Sequence, residues 1–98
     1  MNYAVLTESN PALPDANAFV FIDGIVDAQL PNAPGRVYIV AANDGGARVL
    51  APSGKTIKLG AAEAAGLHTA ESNALLTLAC LPDGNWTATG DLWEPAGW

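Results

Sequence analysis

Apolar residues in this chain come in short runs, not in the long three-to-four-residue rhythm of helices. Residues 18–22 (Ala-Phe-Val-Phe-Ile) stop at Asp23-Gly24, and residues 25–30 follow at once. Two extended runs around Asp-Gly predict a hairpin, because that dipeptide tolerates the positive φ of a tight turn. Pro31 and Pro34 then mark residues 31–35 as a turn, since proline blocks a helix and lacks a ladder donor. Residues 36–41 give the clearest strand. Val37, Ile39 and Ala41 fall on one side and Tyr38 and Val40 on the other, the pattern of a strand covered on both faces. Residues 43–46 (Asn-Asp-Gly-Gly) turn the chain and residues 48–51 return as a strand. Pro52-Ser53-Gly54 makes another turn before residues 55–59, where Thr56 and Ile57 supply β propensity.

Residues 60–66 hold Ala61-Ala62-Glu63-Ala64-Ala65, which favours helix but is too short to stand as one between two glycines. A loop with at most one helical turn is expected there. Residues 74–80 alternate again, with Leu76, Leu78 and Cys80 on one face. Leu81-Pro82-Asp83-Gly84 fits a type I turn, and residues 85–89 return with Trp86 and Ala88 on one face. The first 17 residues carry prolines, asparagines and acids that favour turns, with Tyr3 to Leu6 as one short extended piece. The expected fold is therefore all-β: a small antiparallel β-sandwich or barrel-like domain over residues 18–90. An extended N-terminal arm (1–17) precedes it. A Trp-rich C-terminal tail (91–98) packs on the domain or on a neighbour.

Composition narrows the function classes. The 98 residues hold one domain, half of them hydrophobic, and only 14% charged, against roughly 25% in an average domain. The net charge of −6 argues against nucleic acid, which requires clustered Lys and Arg. Apolar content this high is also unlike a disordered chain. No run is long enough to span a membrane, and the N-terminus does not read as a signal peptide. A single cysteine, Cys80, and a single histidine, His68, rule out an intrachain disulfide and most Cys- or His-based metal cages. No cofactor is expected, and the cysteine should stay reduced in a cytosol.

The remaining motifs read as structure before chemistry. Ser53-Gly54-Lys55-Thr56 resembles the end of a phosphate loop, but Val49 stands where that loop needs Gly, and a strand rather than a helix follows. Asp23, Asp27, Asp44, Asp83 and Asp91 mostly sit beside Gly or Asn, where Asp bonds its own turn backbone. Cys80 alternates in register with two leucines and reads as a small core residue, so a His68–Cys80 catalytic pair is not expected. Asn85-Trp86-Thr87 is a formal glycosylation acceptor that matters only in a secretory pathway. Trp93 and Trp98 either plug the end of their own sheet or anchor on a neighbouring subunit, a role Trp favours. With four basic residues to guard its strand edges, the chain also has reason to self-associate in a closed dimer or trimer.

The segment from Leu30 to Gly90 resembles a module of bacteriophage structural proteins found in tail fibres, tailspikes and capsid-associated proteins. The resemblance rests on Leu30-Pro31, Gly35-Arg36-Val37-Tyr38-Ile39-Val40, Arg48 to Pro52 and Ser53-Gly54-Lys55-Thr56-Ile57. Leu76-x-Leu78, Asp83-Gly84-Asn85-Trp86 and Gly90 complete it. It implies a non-enzymatic virion component, commonly trimeric. A free-standing copy fits a decoration or cement protein that is made in the bacterial cytoplasm and placed on the capsid surface. Its partners would be the major capsid protein and other copies of itself. Tyr3, Val5 and Leu6 in the arm, with Trp93 and Trp98 in the tail, are the candidate interface residues. A receptor- or glycan-binding module of a tail fibre or head spike is the alternative, with Trp93, Trp98 and Asp91 as sugar contacts.

Overall fold

The structure, a computed structural model, describes residues 2–43, 46–69 and 73–95. Strands joined by turns and irregular connections make up these residues, and no helix is found among them. In chain order the strands are β1 (Asn2–Leu6), β2 (Ala18–Ile22), β3 (Asp27–Gln29), β4 (Val37–Ala42), β5 (Arg48–Leu50) and β6 (Ile57–Leu59). β7 (Ala62–Ala64), β8 (Gly66–Thr69), β9 (Ala74–Cys80), β10 (Trp86–Gly90) and β11 (Trp93–Pro95) follow. They form a seven-stranded sheet, ordered β1-β2-β4-β9-β10-β6-β7, and a four-stranded sheet, ordered β11-β8-β5-β3.

The fold is mostly β, but its sheets are mixed and not antiparallel. β1–β2, β2–β4, β10–β6 and β3–β5 pair in parallel, and the remaining neighbours are antiparallel. The cause is visible at Asp23-Gly24. Gly24 does take a positive φ of 113°, but the turn does not fold β2 back on β3. It hands the chain to the other sheet, and the chain then returns as β4, parallel to β2. β3, β4 and β5 repeat this alternation, so β3 and β5 also lie parallel. A hairpin reverses direction within one sheet, whereas two successive changes of sheet restore it.

Residues 60–66 are a second correction. They hold β7, paired antiparallel with β6 around positive-φ Gly60, and lead into β8. Tertiary pairing overrides the helix propensity of the alanines, which are too few to form a helix alone. Residues 2–6 are a third. They form β1 on the edge of the large sheet, in register with all of β2, and are not a free arm. Residues 11–17 are tied back as well. The Tyr38 hydroxyl donates to the Pro14 carbonyl (2.6 Å), the Val37 N–H to Asn17 Oδ1 (2.9 Å), and the Arg36 guanidinium to Asp15 (3.0 Å).

Both sheets feed one hydrophobic cluster. Leu6, Val20, Ile22, Tyr38, Val40, Leu76, Leu78 and Trp86 come from the large sheet, and Ala28, Val49, Leu67 and Trp93 from the small one. At its centre the Tyr38 and Trp86 rings stack, with centroids 5.8 Å apart and planes 11° from parallel. Both polar ends are satisfied, because the Trp86 indole N–H reaches the Pro31 carbonyl at 3.1 Å. A buried Tyr or Trp is most stable when its polar end has such a partner. Cys80 is a free thiol within this core.

Candidate functional site: an apolar sheet face

The outer face of the large sheet carries the least expected chemistry for a protein surface. Strand register places Tyr3, Phe19, Ile39, Thr77 and Thr89 in one row across β1, β2, β4, β9 and β10. Val5, Phe21, Ala41 and Leu75 form the next row. A third, Val37-Ala79-Thr87, runs on to Lys58 and Glu63 in β6 and β7. Five adjacent strands therefore present no charged side chain on this face, and charge begins only at β6.

Tyr3 is 66% exposed, Val5 44% and Leu75 51%. The Tyr3 and Phe19 rings lie 6.2 Å apart and nearly parallel (9°), and each lies 6.5 Å or less from the tilted Phe21 ring. Leu75 shares a shallow hollow with Leu92, another exposed leucine, at the far end of the face. Scattered exposed apolar residues are ordinary, but a contiguous patch rimmed by polar groups marks a contact surface.

Of the five interface candidates from the sequence, Tyr3 and Val5 stand on this face. Leu6, at 1% exposure, points to the core by strand alternation. Trp93, at 4%, is turned into its own subunit and pairs through β11 with β8. Trp98 lies outside the described residues. Phe19, Phe21, Ile39 and Leu75 were not singled out in the sequence. The available signal was that both alternating sets of residues 18–22 are apolar, which a strand with one wet face does not require.

Other polar groups serve local structure. The Arg48 guanidinium donates twice to Asp27 on the neighbouring strand, which holds the Asp27 carboxyl below the usual range. Asp83 is lowered chiefly by the Asn85 backbone N–H and then by its side-chain amide, an Asx-type turn. His68 Nε2 lies 3.9 Å from Glu94 across β8 and β11. Ser53-Gly54 is a turn entered with Gly54 at φ 75°, so no helix N-terminus stands there to cradle phosphate. Another surface hollow, between Pro11–Asp15 and Arg36, has the Arg36–Asp15 ion pair in its lining. Among the described residues, no group of three or more metal-ligating side chains occurs, and no helix is long and apolar enough to cross a membrane.

Comparison with protein families, curated proteins and solved structures yields no match.

Proposed function

We propose that this chain is a non-enzymatic virion structural protein, a decoration or cement protein on the outer surface of a phage head. One observation carries the reading: the uncharged aromatic and aliphatic face built from Tyr3, Val5, Phe19, Phe21 and Leu75. A sheet is a rigid platform, so side chains held on it bury apolar area on a partner at little ordering cost. Several copies acting together on neighbouring shell subunits add avidity that one modest contact lacks. The virion setting comes from the sequence resemblance, and the mechanism from the face. A closed trimer or dimer gathers the copies. The competing reading, a glycan- or receptor-binding module, is weakened because Trp93, one of its sugar contacts, is buried.

The test is co-sedimentation with empty capsids. Wild-type protein should pellet with them, and Phe21→Ser and Leu75→Ser should each weaken attachment about ten-fold or more, the loss of a buried anchor. Both variants should stay folded by circular dichroism. Binding to host cells or purified glycans with no affinity for capsids would reject the cement role in favour of recognition.

A further inference from the structure

Among the described residues, three of the four sheet edges carry features that discourage pairing with another chain. β7 is three residues long with Glu63 at its centre, β3 starts with ion-paired Asp27, and β11 ends in Glu94-Pro95. β1 has no such guard. It runs five residues, Asn-Tyr-Ala-Val-Leu, without a charge or a proline.

Its backbone bonding defines what is left open. The Asn2 N–H donates to the Asn17 carbonyl (3.3 Å), and the Leu6 carbonyl accepts from the Asp23 N–H (2.8 Å). By the alternation of a parallel ladder, Asn2, Ala4 and Leu6 spend their backbone groups on β2. Tyr3 and Val5 therefore aim their N–H and C=O groups away from the sheet, where no strand of the described residues meets them. Thr7 is next in that series. It already exchanges two bonds with Asn10, at 3.2 and 3.1 Å, which closes the open stretch.

We propose that β1 pairs antiparallel with β1 of a second copy, about a two-fold axis that passes midway between the two Ala4 residues. In this register Tyr3 of one copy faces Val5 of the other twice over, so all four open backbone pairs bond within the strands. Moving the register toward Thr7 requires groups that Asn10 occupies. Moving it the other way sets Tyr3 on Tyr3 and leaves Val5 without a partner inside β1. The match is self-complementary, as an isologous contact must be. It also sets an aromatic beside a β-branched residue, a favourable cross-strand pair. Two copies with net charge −6 meet here where neither carries charge. The row Phe19-Tyr3 then runs on into Val5-Phe21 of the second copy, joining two apolar faces into one. The contact is small beside the roughly 1,200–2,000 Å² of a stable interface, so it forms at high concentration or on a scaffold. This holds whether or not the face docks on a capsid, and it selects the dimer over the trimer.

Sedimentation equilibrium should show the mass doubling between about 10 µM and about 1 mM, the range of a weak contact. Val5→Pro removes an outward N–H without touching the bonds to β2 and should stay monomeric at unchanged melting temperature. Ala4→Cys should cross-link to its own mate on mild oxidation, since facing residues of a non-hydrogen-bonded pair lie within disulfide range. Asn2→Cys should not cross-link. Cys80 is buried and does not compete. A single-copy mass at about 1 mM, a trimer mass, or a folded Val5→Pro that still doubles would overturn the proposal. If Val5→Pro unfolds, the cysteine pair decides: linking through Asn2→Cys, or no linking through Ala4→Cys, rejects the register.

Discussion

Trp86 and Trp93 are both buried, yet their polar ends differ. The Trp86 indole N–H is bonded to Pro31, whereas the Trp93 Nε1 finds no partner among the described residues. A buried donor without an acceptor costs about 1–3 kcal/mol, more than the roughly 0.5–1.5 kcal/mol a made hydrogen bond contributes net. Trp86→Phe therefore loses ring volume, part of the stacked area on Tyr38 and a hydrogen bond, while Trp93→Phe loses volume but also removes an unsatisfied donor. Chemical denaturation should show Trp86→Phe destabilising by about 2 kcal/mol more than Trp93→Phe. Equal losses would mean that the two indoles are not distinguished by their bonding. The tryptophan at 86 was legible as core from its alternation with Ala88. That Trp93 turns inward was not legible, because a three-residue run fits either face of a strand.

At the scale of elements, the link from β10 to β11 concentrates the constraints. Gly90 lies against β9, where a Cβ would overlap the Leu75 carbonyl oxygen and come within 3.0 Å of the Leu76 Cα. Both neighbours are backbone and cannot rotate away. Two residues on, Leu92 holds a φ of 67°, while its carbonyl accepts from the Thr69 hydroxyl at 2.8 Å. A left-handed conformation costs a non-glycine residue roughly 1–2 kcal/mol. Gly90→Ala should thus lower stability by about 1–3 kcal/mol through forced displacement of β9 from β10. Leu92→Gly should leave stability equal or higher, and the pair of melting temperatures checks both. A tolerated Gly90→Ala would show that the close approach is not needed. Strands β4, β5, β9 and β10 could be read from alternation and turn residues to within about two residues, as boundaries usually are. β7 could not, because Ala-Glu-Ala has no strand signal of its own and becomes one only by pairing with β6.

For the molecule as a whole, the ten acids are the groups that change charge as pH falls. Asp27 and Asp83 have carboxyls lowered in the folded state by the Arg48 guanidinium and the Asn85 N–H groups respectively. A lowered carboxyl favours the folded state at every pH above its unfolded value, and that contribution is lost as protons bind below it. Melting temperature should therefore hold steady down to the ordinary Asp value near pH 4 and fall below it. Asp27→Asn and Asp83→Asn should each melt below wild type at neutral pH, with the gap closing as acid removes the charge from both proteins. A gap that persists unchanged at about pH 2 would assign the loss to packing and not to ionisation.

Local sequence was sufficient for the β class, for most strands and for the core series Leu76, Leu78, Trp86 and Ala88. Each of these follows from period-two alternation between turn-forming residues, a property of neighbours in the chain. Parallel pairing, the mixed sheets and the aromatic face of Tyr3, Phe19 and Phe21 were decided only by tertiary structure. The Asp23-Gly24 turn is the same dipeptide whether it reverses a strand or passes it to the other sheet. The choice between the two depends on which distant strands complete the core. A face becomes an exposed site only when one knows which of two apolar sides the rest of the chain has covered.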